Sequence, residues 1–402
     1  MIYRANEKYI SNVNRKYRIN KYVKVNIVNR GMLLEIRKVQ RVGHSTMTVS
    51  LPNEWIKEQG IRPKDILFII PERDGSLKIM PRHVAQREEA DEYIVNADAC
   101  NEAGMLERII VGSYILGRDV IRVTSASRIG KNHVDEVRRI VQKLIGLGIL
   151  EETPKSILLQ CSIDSTKFKL DMLIRRLALI ASTILSEAMQ GFKEKNYDLV
   201  EEAIAREDEA DKIYYLAVRL LLSAQVKPAV AEEVGMIDLI FIPAARLILQ
   251  YLELVADYSE DLAREVLEME VYRNMLPEDV VDRIFHLSEL AQTIFQKSIE
   301  CVFTRDLKVA NQLLEMKKVL DIDSNRLMRE APEIPYVRSI LSCLGKIADK
   351  GATIAEIAIN RALEDPSKYV GDVVRAVKHV RTLPLTLGKN NLHKDKPIFS
   401  YA

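Results

Sequence analysis

Five carboxylates have the spacing most suggestive of chemistry in this sequence. Glu207 and Asp211 stand four residues apart, and Glu253, Asp257 and Asp261 repeat that interval, so on helices each set falls on one face. Like charges so spaced are mildly destabilising, and two such faces on neighbouring helices repel further unless a cation or basic side chains lie between them. Oxygen ligands of this kind suit a hard or borderline cation. The competing reading is a solvated acidic face paired with Arg206, Lys212 and Arg264, which needs no metal in a chain that is 29% charged. A second candidate is basic. Arg37, Lys38 and Arg41 lie close together, and a dimer would double that patch for phosphate contacts, although scattered surface charge accounts for it equally well.

The acidic residues lie in a half that reads as almost wholly helical. From Ser165 onward, apolar residues recur at intervals of three and four, as in Leu170, Leu173, Leu177, Ile180, Ile184 and Ala188, the stripe of a bundle helix. Breaks at Gly191, Pro228, Pro277, Thr304 and Pro332/Pro335 predict six helices, over about 165–191, 196–224, 234–268, 277–304, 306–330 and 336–364. These form a three-helix unit used twice. Leu252-Glu253-Leu254-Val255-Ala256-Asp257 with Leu262-Ala263 matches Leu344-Gly345-Lys346-Ile347-Ala348-Asp349 with Ile354-Ala355 without a gap. The second helices match through Asp198-Leu199 and Asp306-Leu307; a gapless alignment sets Glu315 against Glu207 and Val319 against Asp211, and a shift of one turn sets Asp323 against Asp211 and Val319 against Glu207. With Gly345 and Thr353 opposite Glu253 and Asp261, the second repeat keeps Asp349 and, with Asp321, Asp323 and Glu356, forms at best a poorer site.

Ahead of the helices, Leu34–Val39, Thr46–Leu51, Asp65–Pro71 and Ser76–Met80 favour short strands, with one short helix from Pro52 to Gly60. A unit of about 50 residues with core candidates Val39, Val49, Leu51, Trp55, Ile56, Ile61, Ile66, Phe68, Leu77 and Ile79 cannot enclose them alone, so it is expected to form a homodimer through 32–81. Residues 82–163 mix both periods. Helices at Met105–Leu116 and Val134–Leu147 and strands at Val120–Val123, Ile149–Glu152 and Ser156–Cys161 make a small α/β connector. The expected organisation is a basic tail at 1–31, the dimerising unit at 32–81, the connector at 82–163, three-helix bundles at 164–270 and 276–365, and a basic tail at 366–402.

Composition excludes several classes. Aromatic residues make up 6% of 402 and glycine and proline are sparse, which leans away from sandwiches and barrels. Residues 1–31 hold eight basic residues against Glu7. Because the folded pattern begins just after Met32, that segment is expected to be an extension not native to the protein. Cys100, Cys161, Cys301 and Cys343 are far apart, so neither a zinc site nor a disulfide framework is expected, and a cytoplasmic location fits. Asp238–Ala256 is broken by Arg246, Gln250 and Glu253, so no membrane insertion is expected. The six histidines are scattered, no nucleophile elbow, metalloprotease or phosphate-loop pattern occurs, and Gly130-Lys131 and Gly146-Leu147-Gly148 lack its full spacing. The chain is expected not to be an enzyme.

Arg37-Lys38-Val39-Gln40, Gly43, Val49-Ser50-Leu51-Pro52, Glu54-Trp55, Gly60-Ile61, Lys64-Asp65 and Asp74-Gly75-Ser76 resemble the AbrB (SpoVT/AbrB) DNA-binding domain. That resemblance implies a small barrel of hairpins swapped between two chains, with DNA contacts from Arg37, Lys38, Arg41 and Lys57; His44 stands where many relatives carry a basic or small residue. The helical half resembles the PhoU family of phosphate-uptake regulators through Glu253-x-x-x-Asp257-x-x-x-Asp261-Leu-Ala and Glu207-x-x-x-Asp211. This second resemblance implies two three-helix bundles and a metal site of iron, zinc or magnesium at Glu207, Asp211, Glu253, Asp257 and Asp261. Together they imply an archaeal-type regulator partnered by double-stranded DNA and by the phosphate ABC transporter ATPase or a signalling protein. Three functions follow: a DNA-binding regulator that senses or relays phosphate status, a non-DNA-binding adaptor for the transporter, and, last, a catalytic dinuclear carboxylate site.

Overall fold

In the computed structural model the described residues are 37–43, 46–71, 75–81, 92–236, 240–331 and 333–364. They fall into two units, divided between Glu89 and Ala90. In the first, β1 (Gln40–Val42) pairs antiparallel with β2 (Thr46–Thr48), and β3 (Leu67–Pro71) with β4 (Leu77–Pro81). Gly75 takes φ +83° ahead of β4, the left-handed conformation a tight turn asks of glycine. Between the hairpins, α1 (Asn53–Glu58) follows Pro52 as N-cap and ends before Gly60, which takes φ +63°. Within one chain the hairpins remain separate two-stranded sheets, so the expected closed barrel is not made by a single copy. Val39, Met47, Ile66, Ile69 and Leu77 are all more than half exposed, and none of the ten expected core residues is buried.

The second unit begins with the connector, a four-stranded sheet in the order β5 (Glu92–Asn96), β6 (Val120–Thr124), β8 (Ser156–Cys161), β7 (Leu147–Thr153). β5 and β6 run parallel, joined through α2 (Met105–Ile115), and the other pairs are antiparallel. β5 lies outside the strands expected from the sequence, because polar Glu92 and Asn96 bracket only a short apolar run. α3 (Lys131–Lys143) begins three residues earlier than expected. Leu106, Ile110 and Tyr114 of α2 and Val137 and Ile140 of α3 are buried with Ile121, Val123, Ile157 and Leu159 of the sheet. Gly130 is the N-cap of α3, and Gly146 turns the chain towards β7 at φ +80°. Both glycines serve the backbone path.

Two three-helix bundles share one continuous core. The first contains α4 (Leu170–Glu194), α5 and α6 (Tyr197–Ala205 and Glu207–Val226) and α8 (Phe241–Glu268); the short α7 (Pro228–Glu233) lies before α8. The second contains α9 (Glu278–Thr304), α10 (Leu307–Glu330) and α11 (Val337–Ala362), and the bundles meet where α8 packs on α11 and α4 on α9. The predicted second helix is thus interrupted at Arg206, and the third begins at Phe241 rather than 234, after Gly235 at φ +78° has turned the chain beyond the short helix that Pro228 opens. All six residues of the Leu170–Ala188 stripe are buried, as are Leu252, Val255, Ala256, Leu262 and Ala263 with their counterparts Leu344, Ile347, Ala348, Ile354 and Ala355. The repeat read from the sequence is therefore a repeat of core positions.

Each bundle turns from its first helix to its second in the same way. Lys195 and Arg305 take left-handed φ of 61° and 57°. The next residue, Asn196 or Asp306, caps the following helix by accepting the N–H of Leu199 at 3.3 Å or of Val309 at 3.1 Å. Gly191 allows the first turn to close, since a Cβ there would lie 2.4 Å from Val200 Cγ2 and 2.7 Å from the Asn196 carbonyl oxygen.

The connector is continuous with this unit. Tyr215 of α6 packs against both the bundle core and the connector core, as do Ile115 and Ile163. The four cysteines are buried free thiols, and among the described residues no helix is long and apolar enough to cross a membrane.

Candidate functional site

Glu207 and Asp211 open α6, and Glu253, Asp257 and Asp261 follow one another along α8, which packs against it. The i, i+4 spacing places Glu207, Asp211, Glu253 and Asp257 at the seam between these helices, whereas Asp261 is exposed. Burial, then Asp257 and Asp211, push the Glu253 carboxyl up to about 7. Burial, then Asp211 and Glu260, push Asp257 up to about 6. Glu207 is raised as well, by burial and then by Asp211 and Glu260. Each charge is half removed from water and faces others of its own sign.

The neutralising residues are not those the sequence suggests. Arg206 turns away to α4, where its Nε lies 2.6 Å from Glu187 Oε2. Arg264 touches none of the five and acts on the seam only by pairing with Glu260 one turn back on its own helix. Two cations face the acidic seam: Arg246 of α8 bears on Glu253, and Lys143 Nζ of the connector, at the end of α3, lies 3.4 Å from Asp208 Oδ1 and 3.5 Å from Asp211 Oδ2. Burial would lower its ammonium, but Asp211, Asp208 and Glu207 more than offset this and hold it charged. A polar relay closes the other end, where Tyr214 donates to Gln250 Oε1 at 2.8 Å and Gln250 Nε2 donates to Glu253 Oε2 at 2.7 Å.

Among the described residues, no three histidine, cysteine, aspartate or glutamate side chains gather closely enough to hold one ion. Four of the five carboxylates share a seam without forming a coordination shell and Asp261 is exposed, so in this arrangement they do not fit the single metal centre that their spacing suggests. The second repeat departs further from the expectation. Counted from the caps Asn196 and Asp306, Lys317 stands where the first repeat has Glu207, and Asp321 where it has Asp211. The gapless alignment through the Asp-Leu pairs was two residues out, because Asp306 is a cap whereas Asp198 lies inside the first turn. Lys317 Nζ lies 2.6 Å from both Asp321 Oδ2 and Asp349 Oδ1.

Nothing local in the sequence points to Lys143. It is 68 positions from Asp211, beyond the reach of any helical period. Lys317 was legible in principle, once the caps rather than the apolar pairs set the register.

Of the basic candidates, Arg37 and Lys38 precede β1, Arg41 lies within it, and Lys57 occupies the last turn of α1; all four are exposed. His44 lies outside the described residues.

Comparison with known families places these sites in two domains. The PhoU domain matches residues 174–266, which hold all five carboxylates, and the second bundle lies outside the match. Antidote-toxin recognition MazE, bacterial antitoxin, matches residues 40–86. No curated protein matches the chain. The chain therefore carries a MazE/AbrB-like domain at its N-terminus and a PhoU domain in its helical half.

Proposed function

We propose that this protein regulates phosphate uptake by binding double-stranded DNA as a homodimer through its N-terminal unit, while the helical half senses or relays phosphate status. The observation that carries this reading is the presence of both domains in one chain. A PhoU domain suggests regulation of phosphate homeostasis, and a MazE/AbrB-like domain suggests recognition of DNA or of a toxin. Arg37, Lys38 and Arg41 supply exposed positive charge along one hairpin arm, and a dimer would present it twice. Both domain types are regulatory, in keeping with a protein that is not an enzyme.

The adaptor reading has an observation of its own. Exposed apolar residues on both hairpins suit contact with a second copy, so the N-terminal unit would serve dimerisation alone while the rest of the chain meets the transporter's ATPase or a signalling protein. Binding of the full chain to its own promoter region and to phosphate-transport promoters decides between the two. Specific binding at least about a thousandfold tighter than to unrelated duplex supports the regulator. Equal affinity for all duplexes at physiological salt leaves the adaptor.

A further inference from the structure

We propose that lysine ammonium groups stand in for metal ions at the acidic faces of both repeats, and that the one in the first repeat also clamps the connector to the bundle. In the second repeat the substitution is internal. Lys317 occupies the position equivalent to Glu207 and reaches Asp321 on its own helix and Asp349 on α11, each at 2.6 Å. Asp349 is the counterpart of Asp257 in the shared Leu-x-x-[Val/Ile]-Ala-Asp pattern. An ammonium thus lies between the two carboxylates that the repeat retains. In the first repeat no carboxylate has been replaced; Arg246 bears on Glu253 from within the bundle, and the ammonium on Asp208 and Asp211 comes from outside it, from Lys143.

The two arrangements answer one electrostatic need. Carboxylates facing one another across a half-buried seam repel unless a positive charge stands nearby. An ammonium with three donors meets that need without the converging oxygen shell a metal requires, and no such shell forms among the described residues. The second consequence is mechanical. Lys143 ends the helix that covers the connector sheet, and its partners begin α6 of the bundle. The contact that balances charge in the first repeat is therefore also a contact between connector and bundle; Lys317 joins only helices of its own bundle.

The test uses the full chain, purified without chelator or affinity tag, with Lys143→Met and Lys317→Met variants. We expect less than about a tenth of an equivalent of bound iron, zinc, manganese or magnesium, and melting unchanged by chelation. Lys143→Met should melt about 2–4 °C lower. It should exchange amide hydrogen faster across 131–143. Lys317→Met should lose stability without faster exchange in 131–143. Adding Asp208→Asn and Asp211→Asn to Lys143→Met separates charge from packing, and the loss should shrink. About one equivalent of metal whose removal lowers the melting temperature overturns the proposal. So does a Lys143→Met variant with unchanged melting and exchange, or a loss that the neutralising substitutions leave intact.

Discussion

The guanidinium of Arg219, on α6 of the first bundle, donates at 2.6 Å to the carbonyl of Tyr114, in the last turn of α2 in the connector. The same nitrogen reaches the Arg118 carbonyl at 3.1 Å, and the other terminal nitrogen pairs with Asp119. Its carbon lies 4.8 Å from the centre of the Tyr114 ring. One side chain, 4% exposed, thereby gives the Tyr114 carbonyl a second donor beside the N–H of Gly117 and gives the Arg118 carbonyl a donor as well. Arg219 is the deep counterpart of the more accessible Lys143 contact.

Arg219→Met should therefore cost about 2–3 kcal/mol, because it strips two carbonyls of a donor and leaves Asp119 unpaired. Asp119 is half exposed, which keeps the figure below that of a fully buried pair. Urea unfolding measures it, and hydrogen exchange should rise in 105–118 before it rises in α9 or α11. A loss under about 0.5 kcal/mol would place Arg219 among surface contacts.

The raised carboxyls give a pH dependence with a definite sign. Glu253 titrates near 7 and Asp257 near 6 in the folded chain, against ordinary values of 4.5 and 3.8. Between those limits the folded protein holds protons that the unfolded chain has released. Their contribution to stability is complete below about 4 and is lost as pH rises through 6 to 7. Glu253→Gln removes one of the repelling charges, so it should raise the melting temperature at pH 8 and change it little at pH 4.5. Equal shifts at both values would contradict the mutual repulsion.

The helical half was legible because its information is periodic. Leu177, Ile184 and Ala188 are fully buried at the intervals that marked them, and Asp257 and Asp349 follow the apolar pattern at equivalent places. What escaped is carried by single long side chains reaching between distant elements: Lys143 to Asp211, Arg219 to Tyr114, Tyr214 to Gln250. No period encodes such a pair, and either partner alone reads as an ordinary surface or core residue. β5 was missed for a different reason, being a strand of five residues whose pairing with β6 is set by α2 between them rather than by its own composition.

The N-terminal unit should dimerise. Met47, Ile66, Ile69 and Leu77 are more than half exposed in the single chain, and covering such residues is worth about 25 cal/mol per Å² of apolar surface removed from water. The full chain should sediment as a dimer at micromolar concentration, and Ile69→Lys should shift it towards monomer while leaving the helical content unchanged. A dimer that survives both Ile69→Lys and Leu77→Lys would have its interface in the helical half.

If the unit binds DNA, the binding should be steep in salt and should depend on Arg37, Lys38 and Arg41, exposed along one hairpin arm. Each phosphate contact releases condensed counterions and adds roughly −0.9 to the slope of log K against log salt. Replacing Arg37 and Lys38 together with alanine should flatten that slope by about two if both touch phosphate in one chain, and by about four if both copies of the dimer do. Lys57→Ala, on α1, should remove about one further unit per chain in contact. These substitutions act on the backbone term, so affinity for promoter and for unrelated duplex should fall together. A slope unchanged by all three would move the DNA face elsewhere or favour the adaptor.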